Sequence, residues 1–502
     1  MMKLSELIKD IEIPRDVEVT GLASDSRKVA AGNLFAALKG SSSDGADFIE
    51  NAIAQGAVVI LTRPNVKRPE SKIAADVIWI EDENPAHLFA CVAARFFKKQ
   101  PRHVAAVTGT NGKTSVAAFA QQIWQHMGHK AGSVGTLGIN APGYSEPTGM
   151  TTPDPIVLQK AMRKLCDLGV DHVVFEASSH GLDQHRLDGL NVSAAAFTNI
   201  TRDHFDYHGT QENYFYAKAR LFGQVMGPGK TAVLNADCPM IREISDICWA
   251  RGHHIITVGH LDSDIRLLRH RSAPGGQEIT INYKDKIFDI TLPLVGEFQA
   301  MNALMAVGLV IGCGEDADKA FQALPYLRSV PGRMEQAGRL ENGARVYVDY
   351  AHTPDGLQTA LEALRPHVKG KLSVVFGCGG DRDRGKRPIM GGIARQLADR
   401  IYVTDDNPRT EDAALIRQEI LENCTDAYEV GDRRAAIQQA VADLEKGDLL
   451  LVAGKGHEQG QIVGDQILEF DDMSEIRSAI AILPAAVSGM KTGQRSSGSN
   501  RS

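Results

Sequence analysis

Residues 103–128 read HVAAVTGTNGKTSVAAFAQQIWQHMG, and this stretch indicates the class of fold. The apolar run at 103–107 has the character of a buried strand, and a glycine-containing loop follows it directly. The loop leads into a predicted helix that stops at Gly128. The apolar positions of this helix, spaced about 3.6 residues apart, are Val116, Phe119, Ile123, Trp124 and Met127. A strand, a glycine loop and a helix in this order predict a parallel α/β sheet.

The loop at 108–114, TGTNGKT, has the composition of a phosphate-binding loop. The backbone N–H groups of a glycine turn, the start of a helix and the amine of Lys113 can together hold phosphate, and the hydroxyl of Thr114 can bind Mg²⁺. The strict template has glycine where this chain has Val107, so the match is limited to G-x-x-G-K-T. The loop predicts binding of ATP, and the alternative is an ordinary strand-to-helix turn with a surface lysine.

Two further strand ends carry side chains that can bind a metal ion. Glu176 ends the apolar run at 173–176, and His204 follows the apolar run at 194–197. In open α/β sheets the ligand site lies beyond the carboxyl ends of the strands, so both side chains are predicted at the edge that carries the phosphate loop. Oxygen ligands beside phosphates suit Mg²⁺ better than zinc.

The polar run at 176–186 reads EASSHGLDQHR and allows two interpretations. A Ser-Ser-His sequence is compatible with nucleophilic catalysis, but the G-x-S-x-G elbow of serine hydrolases is absent from the run. Contact with a substrate through hydroxyl, amide and guanidinium groups is the better interpretation.

Four polar loops follow apolar runs in the last third of the chain, at 346–356, 374–387, 402–411 and 449–458. If each run is a parallel strand, the four loops converge on one sheet edge. Their acids, arginines and glycines predict a pocket for a zwitterionic or anionic ligand. The basic run at 382–387 alone could bind nucleic acid, but its interleaved aspartates argue against that interpretation.

Length and composition limit the class of protein. The 502 residues predict about three domains, with limits at 1–98, 99–331 and 332–486 and a disordered tail at 487–502. The formal net charge of −7 argues against a general nucleic-acid binder. The seven scattered cysteines predict reduced thiols. With neither a membrane span nor a secretory signal in the sequence, we expect a cytoplasmic protein.

From the residues alone the chain is an Mg²⁺- and ATP-dependent protein with a central phosphate-loop domain and a separate carboxy-terminal domain that binds another small molecule. A kinase, an ATP-dependent ligase and a nucleotide-gated binding protein all fit this description, and spacing does not choose between them.

The motifs also resemble those of a known family, the Mur ligases of peptidoglycan synthesis, over about residues 20–480. The resemblance rests on TGTNGKT at 108–114, EASSHGL at 176–182, NITRDHFD at 199–206, YAKARLF at 216–222 and the four late loops. It implies an α/β fold of three domains: an amino-terminal UDP-binding domain, a central phosphate-loop ATPase domain with a parallel sheet, and a Rossmann-like carboxy-terminal domain that binds an amino acid.

The resemblance also implies the reaction. The run DNPR at 406–409 resembles the signature of family members that add diaminopimelate rather than lysine. Such a member uses ATP to join meso-diaminopimelate to UDP-N-acetylmuramoyl-L-alanyl-D-glutamate through an acyl phosphate. We expect Mg²⁺ as cofactor, a lysine carbamate formed from CO₂, a monomer, small-molecule substrates only, and neither nucleic acid nor membrane as a partner.

Site residues follow from the resemblance, position by position. The catalytic residues are Glu176, His204, Lys113 and Lys218. The ATP-binding residues are Gly109, Thr110, Asn111, Gly112, Lys113, Thr114, Asn302, Arg333 and Asp349. The metal ligands are Thr114, Glu176, His204 and, as a carbamate, Lys218. The residues that bind the UDP-muramoyl dipeptide are Ser26, Ser41, Ser42, Ser43, Thr151, Thr152, Ser178, Gln184 and Arg186. The residues that bind diaminopimelate are Arg382, Asp406, Asn407, Pro408, Arg409, Gly454 and Glu458.

Two positions depart from the family pattern. Met150 stands where some members carry a polar residue, and Gln299 stands where many carry asparagine. Three rivals remain: the lysine-adding ligase of the same fold, a folylpolyglutamate synthetase, and a catalytically silent nucleotide-binding regulator.

Overall fold

The structure is a computed structural model that describes residues 1–9, 11–40, 43–70 and 74–483. Within these ranges the chain divides into two compact units, one from Met1 to Val330 and the other from Pro331 onward. The predicted tail at 487–502 lies outside the described residues. Among the helices that are described, none combines the length and the apolar character that a membrane span requires.

The α-helices of the described ranges are α1 (Leu4–Leu7), α2 (Ile49–Ala54), α3 (Pro85–Phe97), α4 (Lys113–His126), α5 (Pro155–Asp167), α6 (Ser179–Asp183), α7 (Phe205–His208), α8 (Gln211–Arg220), α9 (Ile241–Ala250), α10 (Glu297–Gly312), α11 (Ala317–Gln322), α12 (Pro354–Leu364), α13 (Lys386–Leu397), α14 (Ala413–Leu421), α15 (Arg433–Ala442) and α16 (Asp472–Ile482). Short 3₁₀ turns lie at Ser26–Lys28, Gly45–Phe48, Ala74–Asp76, Leu324–Tyr326 and Arg365–His367, and a π-helical turn follows α8 at Leu221–Val225.

The strands are β1 (Met2–Lys3), β2 (Glu18–Val19), β3 (Gly21–Ala23), β4 (Asn33–Ala36), β5 (Val59–Thr62), β6 (Ile78–Glu81), β7 (His103–Thr108), β8 (Ala131–Gly135), β9 (Gly138–Ala141), β10 (Tyr144–Glu146), β11 (His172–Glu176), β12 (Ala194–Phe197), β13 (Thr231–Asn235), β14 (His254–Gly259), β15 (Ile265–Ala273), β16 (Gly276–Tyr283), β17 (Lys286–Leu292), β18 (Glu335–Arg339), β19 (Arg345–Asp349), β20 (Leu372–Phe376), β21 (Arg400–Val403), β22 (Tyr428–Glu429), β23 (Leu449–Ala453), β24 (Gly460–Val463) and β25 (Gln466–Glu469).

The amino-terminal sheet of the first unit is parallel, in the order β3-β4-β5-β6. Its two central strands, β4 and β5, come from two largely apolar stretches of the sequence, at 33–38 and 57–61. Every residue of β4 and β5 is buried, because the sheet is covered on both faces. Helix α3 packs on it and begins at Pro85, with the side chain of Asn84 capping the free N–H of His87.

The large sheet of the first unit, within the described residues, has the order β10-β9-β8-β11-β7-β12-β13-β14-β15-β16-β17. Strands β8, β11, β7, β12, β13, β14 and β15 pair in parallel. Alternate residues of β7 belong to different cores: Ala105 and Val107 face α4 and α10, whereas Val104 and Ala106 face α5 and α8. This period of two, with helices on both faces, is what a doubly covered parallel sheet requires.

Antiparallel strands extend both edges of this sheet. Strands β9 and β10 form a hairpin on one side, and β15, β16 and β17 form a meander on the other. The α/β class and the parallel centre predicted from the sequence are confirmed, but these antiparallel additions were not predicted. In β16 the buried Ile279, Ile281 and Tyr283 alternate with polar residues, and this alternation in the sequence is the signal that sequence reasoning missed.

The second unit contains a sheet in the order β18-β19-β23-β20-β21-β22, with only β18 antiparallel among the described strands. Strands β19, β20, β21 and β23 are the four apolar runs singled out in the sequence, and they are parallel. The four polar loops therefore emerge at one edge, as predicted. Strand β23 comes after β19, β20, β21 and β22 in the chain but lies between β19 and β20 in the sheet. Ligands of open α/β sheets bind where the strand order changes in this way.

Candidate active site

The loop between β7 and α4 is shaped by two glycines at positions where a side chain would be strained and crowded. Gly109 and Gly112 have positive φ angles of 143° and 89°. A Cβ atom on Gly109 would lie 1.9 Å from the hydroxyl of Thr198, and one on Gly112 would lie 2.5 Å from Oδ1 of Asn302. The amine of Lys113 curls back over the loop and donates to the carbonyls of Gly109, at 2.9 Å, and Thr110, at 2.7 Å. Backbone N–H groups at a helix start, with a lysine above them, form a cradle for phosphate.

Glu176 and His204 lie on the two sides of this loop. Strands β11 and β12 both pair with β7, and Glu176 is in register with Val107 at the carboxyl end. Glu176 accepts hydrogen bonds from the hydroxyl of Thr114, at 2.9 Å, and from the backbone N–H of Thr136, at 2.8 Å. The structure thus brings these predicted ligands to one sheet edge.

His204 follows β12 with a left-handed backbone, φ 55°. Its Nε2 atom lies 3.3 Å from the carboxylate of Asp203. Burial lowers the pKa of His204 to about 3, although Asp203 opposes the shift, so the imidazole is neutral at physiological pH. A neutral imidazole is the form that can bind a metal ion.

Lys218 approaches the same loop from below. Thr210 caps α8 by accepting from the N–H of Asn213, and α8 carries Lys218 in its last turn. The Lys218 side chain is fully buried, and its amine donates to the carbonyl of Gly109 at 2.8 Å. Burial, and after it the charge of Lys113, lower the pKa of Lys218 well below its usual value. The sequence alone would make Lys218 a solvated helix lysine, and the structure shows the opposite.

Asn302 lies beside the start of α4. It is buried on α10, which packs along α4, and its Nδ2 donates to Oε1 of Gln299 at 3.1 Å. Its Oδ1 is the atom that a side chain at Gly112 would strike. Gln299, which stands where many family members carry asparagine, therefore positions Asn302 by accepting a hydrogen bond from it.

The hydroxyls predicted to meet the dipeptide surround the backbone of Glu176. Thr152 donates to the carbonyl of Glu176 at 2.8 Å and accepts from the N–H of Ser178 at 2.9 Å. Thr151 lies 3.0 Å from the hydroxyl of Thr136, which itself donates to Glu176 at 3.1 Å. These contacts link the predicted dipeptide residues directly to the predicted metal ligand.

Arg186 and Gln184 complete this cluster. Arg186 donates to the carbonyl of Thr152 at 2.7 Å and to Oε1 of Gln184 at 2.6 Å. The amide of Gln184 in turn donates to the hydroxyl of Tyr207 at 3.1 Å. Met150, which departs from the family pattern, contacts this cluster: its sulfur lies 3.5 Å from the Arg186 guanidinium.

In the amino-terminal module, two of the predicted UDP contacts can be described. Ser26 is buried in the turn after β3, and Ser43 is exposed in the segment after β4. Strands β3 and β4 are parallel neighbours, so both segments leave the same sheet edge. Ser41 and Ser42 lie outside the described residues.

In the second unit, Asn407 is held by a buried lysine. Its Oδ1 accepts from the amine of Lys455 and from the backbone N–H of Ile462, both at 2.9 Å. Since both neighbours are donors, the amide NH₂ must point the other way, and it donates to Glu458 at 3.0 Å. The Lys455 side chain is fully buried and lies 3.6 Å from Glu458. Sequence reasoning quoted Lys455 within a loop but gave it no role, although a lysine between two glycines after an apolar strand was a signal.

Arg409 is fixed by the hairpin of β24 and β25. It has a left-handed backbone, φ 52°, and its N–H donates to the carbonyl of Ile462 at 3.1 Å. Its guanidinium donates to the carbonyl of Gly380 at 2.8 Å. Burial, and after it the charge of Arg382, lower the pKa of Arg409. A guanidinium group suits a carboxylate ligand, and the carboxylates of Asp406, Glu458 and Asp381 also act on Arg409.

The remaining residues of this set are close by. Asp406 lies against Gly454, where an added Cβ would come within 2.7 Å of its carboxylate. The carbonyl of Pro408 fills the space beside Gly380. Together with Asn407, Arg409 and Glu458, these residues form one cluster at the carboxyl edge of the second sheet, which we call the amino-acid pocket after its predicted ligand.

Arg333 and Asp349 lie next to one another in the same unit. The Arg333 guanidinium stands 4.2 Å above the ring of Tyr350. Asp349 accepts from the N–H of Met334 at 2.6 Å, and burial raises the pKa of Asp349 to about 6 while Arg333 opposes the shift. The structure places these two predicted nucleotide contacts close together. The sequence analysis did not predict Tyr350 as a site residue, although its hydroxyl also donates to Glu458 at 3.2 Å.

Family models match three successive parts of the chain. They are the Mur ligase family catalytic domain at 18–97, the Mur ligase middle domain at 107–310, and the Mur ligase glutamate ligase domain at 332–456. The chain belongs to the Mur ligase family.

Among its relatives is the UDP-N-acetylmuramoyl-L-alanyl-D-glutamate–2,6-diaminopimelate ligase of Zymomonas mobilis, 50% identical over 470 residues, which are 93% of this chain and 96% of the relative. The enzyme of the same name from Caulobacter vibrioides is 50% identical over 472 residues, again 93% and 96% of the two chains. A solved structure of an enzyme with that name is 31% identical, with a TM-score of 0.69, and covers 96% of this chain and 99% of its own.

Proposed function

We propose that this chain is the ATP-dependent ligase that joins meso-diaminopimelate to UDP-N-acetylmuramoyl-L-alanyl-D-glutamate in peptidoglycan synthesis. The names of relatives 50% identical over 93% of the chain support the substrates. The observation that carries the chemistry is the phosphate loop, where Lys113, Lys218 and Glu176 meet within hydrogen-bonding distance of the residues 109–114. The amino-acid pocket supports the choice of the incoming substrate.

The reaction proceeds in two steps. An oxygen of the D-glutamyl side-chain carboxylate forms a bond to the γ-phosphorus of ATP, the bond to the β,γ-bridging oxygen breaks, and ADP leaves. An amine of diaminopimelate then attacks the carbonyl carbon of the acyl phosphate, the bond from carbon to the bridging oxygen breaks, phosphate leaves and the amine loses a proton. Lys113 is placed to offset the charge on the transferred phosphoryl group.

The sheet edge around the phosphate loop, with Thr114, Glu176 and His204, is called the loop edge, and it fits a magnesium ion. Thr114 and Glu176 offer oxygens 2.9 Å apart, and His204 offers a neutral imidazole on the far side of β7. When bound there, Mg²⁺ supplies positive charge beside the phosphates of ATP. The residues that would hold Mg²⁺ are Thr114, Glu176, His204 and Lys218, which as a carbamate would be able to hold a second Mg²⁺.

Lys218 has the properties that carbamate formation needs. Burial lowers the pKa of Lys218 and so favours its neutral amine, whose nitrogen can bond to the carbon of CO₂ with loss of a proton. The product turns a cation into an oxygen ligand, and its remaining N–H can still donate to Gly109 as the amine does at 2.8 Å. We therefore propose that the carbamate is part of the site. We also propose a monomeric enzyme in the cytoplasm that acts on small molecules and not on nucleic acid or membrane.

One assay separates this proposal from its rivals. The chain is incubated with ATP, Mg²⁺ and the UDP-muramoyl dipeptide, with diaminopimelate, with lysine or with neither, and phosphate release and amide formation are followed. We expect both to require the dipeptide and diaminopimelate. Equal use of lysine would indicate the lysine-adding ligase, and phosphate release that needs a folate instead would indicate the folylpolyglutamate synthetase. A chain that binds ATP without turnover would be a regulator.

A further inference from the structure

A second cluster of metal-binding side chains lies in the first unit, outside the active site. His129, His172 and Glu315 each offer one ligand atom, and these atoms all lie within 4.8 Å of one another. We propose that they bind a first-row transition-metal ion, with Zn²⁺ as the representative.

The cluster lies at the opposite end of the strands from the phosphate loop. His172 begins β11 and Glu176 ends it, so the cluster is about 13 Å along the strand from the proposed magnesium ligand. His129 follows α4, and Glu315 lies between α10 and α11. The position alone separates this site from the one used in the reaction.

The donor set selects the kind of ion. Two imidazole nitrogens and one carboxylate suit Zn²⁺, Co²⁺ or Ni²⁺, whereas Mg²⁺ prefers oxygen ligands. Glu315 already faces both rings: one carboxylate oxygen lies 3.1 Å from Nε2 of His172 and the other 3.1 Å from Nε2 of His129. Three protein ligands leave a fourth position for water, as in many zinc sites.

Neighbouring groups orient His172 as they do in metal sites. Its Nδ1 lies 2.9 Å from the carboxylate of Asp171, so the ring can donate a hydrogen bond from Nδ1–H to Asp171 and present Nε2 to an ion. The ring of His103 stacks on it at 4.5 Å with an angle of 14°. The His172 side chain is only 3% exposed, whereas His129 and Glu315 are 28% and 19% exposed. The site is therefore ordered at its base and open to solvent at its mouth.

A second triad in the same unit provides a matched control. His87, His185 and Asp188 also offer ligand atoms within 4.8 Å of one another. There, however, the guanidinium of Arg220 lies 3.0 Å from Asp188 and 2.8 Å from Nδ1 of His185. A cation of the protein already occupies that place, so a metal ion would meet charge repulsion.

Binding at the proposed site would join three elements that also build the loop edge. Helix α4 begins with Lys113, α10 carries Asn302 and β11 ends in Glu176. An ion that binds the folded chain alone stabilises it in proportion to the logarithm of its concentration above Kd. We therefore expect the ion to raise the Tm of the first unit without entering the reaction.

The test uses the full-length chain without a histidine tag, treated with a chelator and kept in excess Mg²⁺ to saturate the oxygen site. Zn²⁺ is titrated by calorimetry, and Co²⁺ is followed by its visible absorption, which is intense for four-coordinate ions. Glu315→Gln and His129→Gln remove exposed ligands, His87→Gln is the control, and circular dichroism checks folding.

We expect one ion per chain, four-coordinate Co²⁺ bands, and a higher Tm with Zn²⁺. Glu315→Gln and His129→Gln should each lower the affinity by at least about tenfold, and His87→Gln should leave it unchanged. If the wild-type chain binds no ion, His129, His172 and Glu315 form only an ion-pair network and the proposal is wrong. Equal binding by Glu315→Gln, or binding lost only in His87→Gln, would likewise overturn the proposal.

Discussion

The loop edge of the first unit and the amino-acid pocket of the second are built in different ways. At the loop edge, backbone determines the arrangement: strand register places Glu176 beside the loop, and glycines 109 and 112 shape the cradle. In the amino-acid pocket, side chains hold side chains, and Lys455 decides which way the amide of Asn407 points. A motif is therefore enough to predict the first arrangement, whereas the second depends on a contact across 48 residues.

The largest effect is expected at the loop edge. Lys113→Ala should lower kcat at least about a hundredfold, because the amine above the loop stabilises charge that develops in the transition state. The fold should persist, since the lysine contributes little packing. Steady-state kinetics and circular dichroism provide the check, with the exposed Lys446→Ala as the control. Activity within a few-fold of wild type would refute the phosphate-loop assignment.

Lys218 tests whether the loop edge needs an anionic group at its base. Lys218→Ala should lower activity about as much as removal of any other metal ligand would. Millimolar short carboxylates should restore part of the activity by occupying the space of the carbamate. Lys218→Arg, which keeps a cation, should respond to no carboxylate. Electron density at the lysine tip in a nucleotide-bound crystal is the direct observation, and an unmodified amine there would contradict the carbamate.

Arg409 tests the selectivity of the amino-acid pocket. Diaminopimelate has one more carboxylate than lysine, and lysine would leave the half-buried guanidinium without a carboxylate from the substrate, at a cost of about 2–5 kcal/mol or roughly 30- to several-thousand-fold. Arg409→Ala should raise the KM for diaminopimelate and narrow the gap to lysine, with the KM for ATP nearly unchanged. If the mutant keeps the wild-type preference, the carboxylate is recognised elsewhere, and Arg382 is the next residue to change.

Lys455 tests whether side chains position one another in that pocket. Lys455→Met keeps the length of the side chain but removes one of the two donors to Asn407, so the amide can turn. We expect the KM for diaminopimelate to rise by about tenfold, which corresponds to one lost buried hydrogen bond to a charged group. kcat at saturation and the KM for ATP should change little. An equal change in the matched variant Lys446→Met would show that the effect is general rather than local.

The smallest effect concerns stability. The pKa of Asp349 is raised from 3.8 to about 6, so the folded chain binds this proton more tightly than the unfolded chain. The stabilisation is complete below pH 3.8 and is lost as the pH rises through about 6. Asp349→Asn should therefore raise the free energy of unfolding at pH 8 by up to about 3 kcal/mol. Denaturation of both proteins at pH 8 and pH 4 would measure this, and a difference independent of pH would refute the cause.

Much of the fold was predictable, and the reasons are local. Apart from His103 and Glu176, the runs at 103–107, 173–176 and 194–197 are apolar on both faces, which is typical of a doubly covered strand. The carboxyl-edge rule then placed Glu176 and His204. The meander at 265–292 was not predicted because its strands carry many polar residues on the open face. Burial of Lys218 and Lys455 was also beyond reach, because only tertiary packing shows that a lysine has lost its water.

Oxygen transfer tests the central claim most directly. The D-glutamyl side-chain carboxylate of the UDP-muramoyl dipeptide is labelled with ¹⁸O, and the phosphate released during amide formation with diaminopimelate is analysed by mass spectrometry. If the carboxylate attacks ATP and the amine then breaks the bond from carbon to the bridging oxygen, each phosphate carries one ¹⁸O atom. Unlabelled phosphate, with one label kept in the amide and the other found in water or in the nucleotide product, would contradict the acyl phosphate and the role proposed for the loop edge.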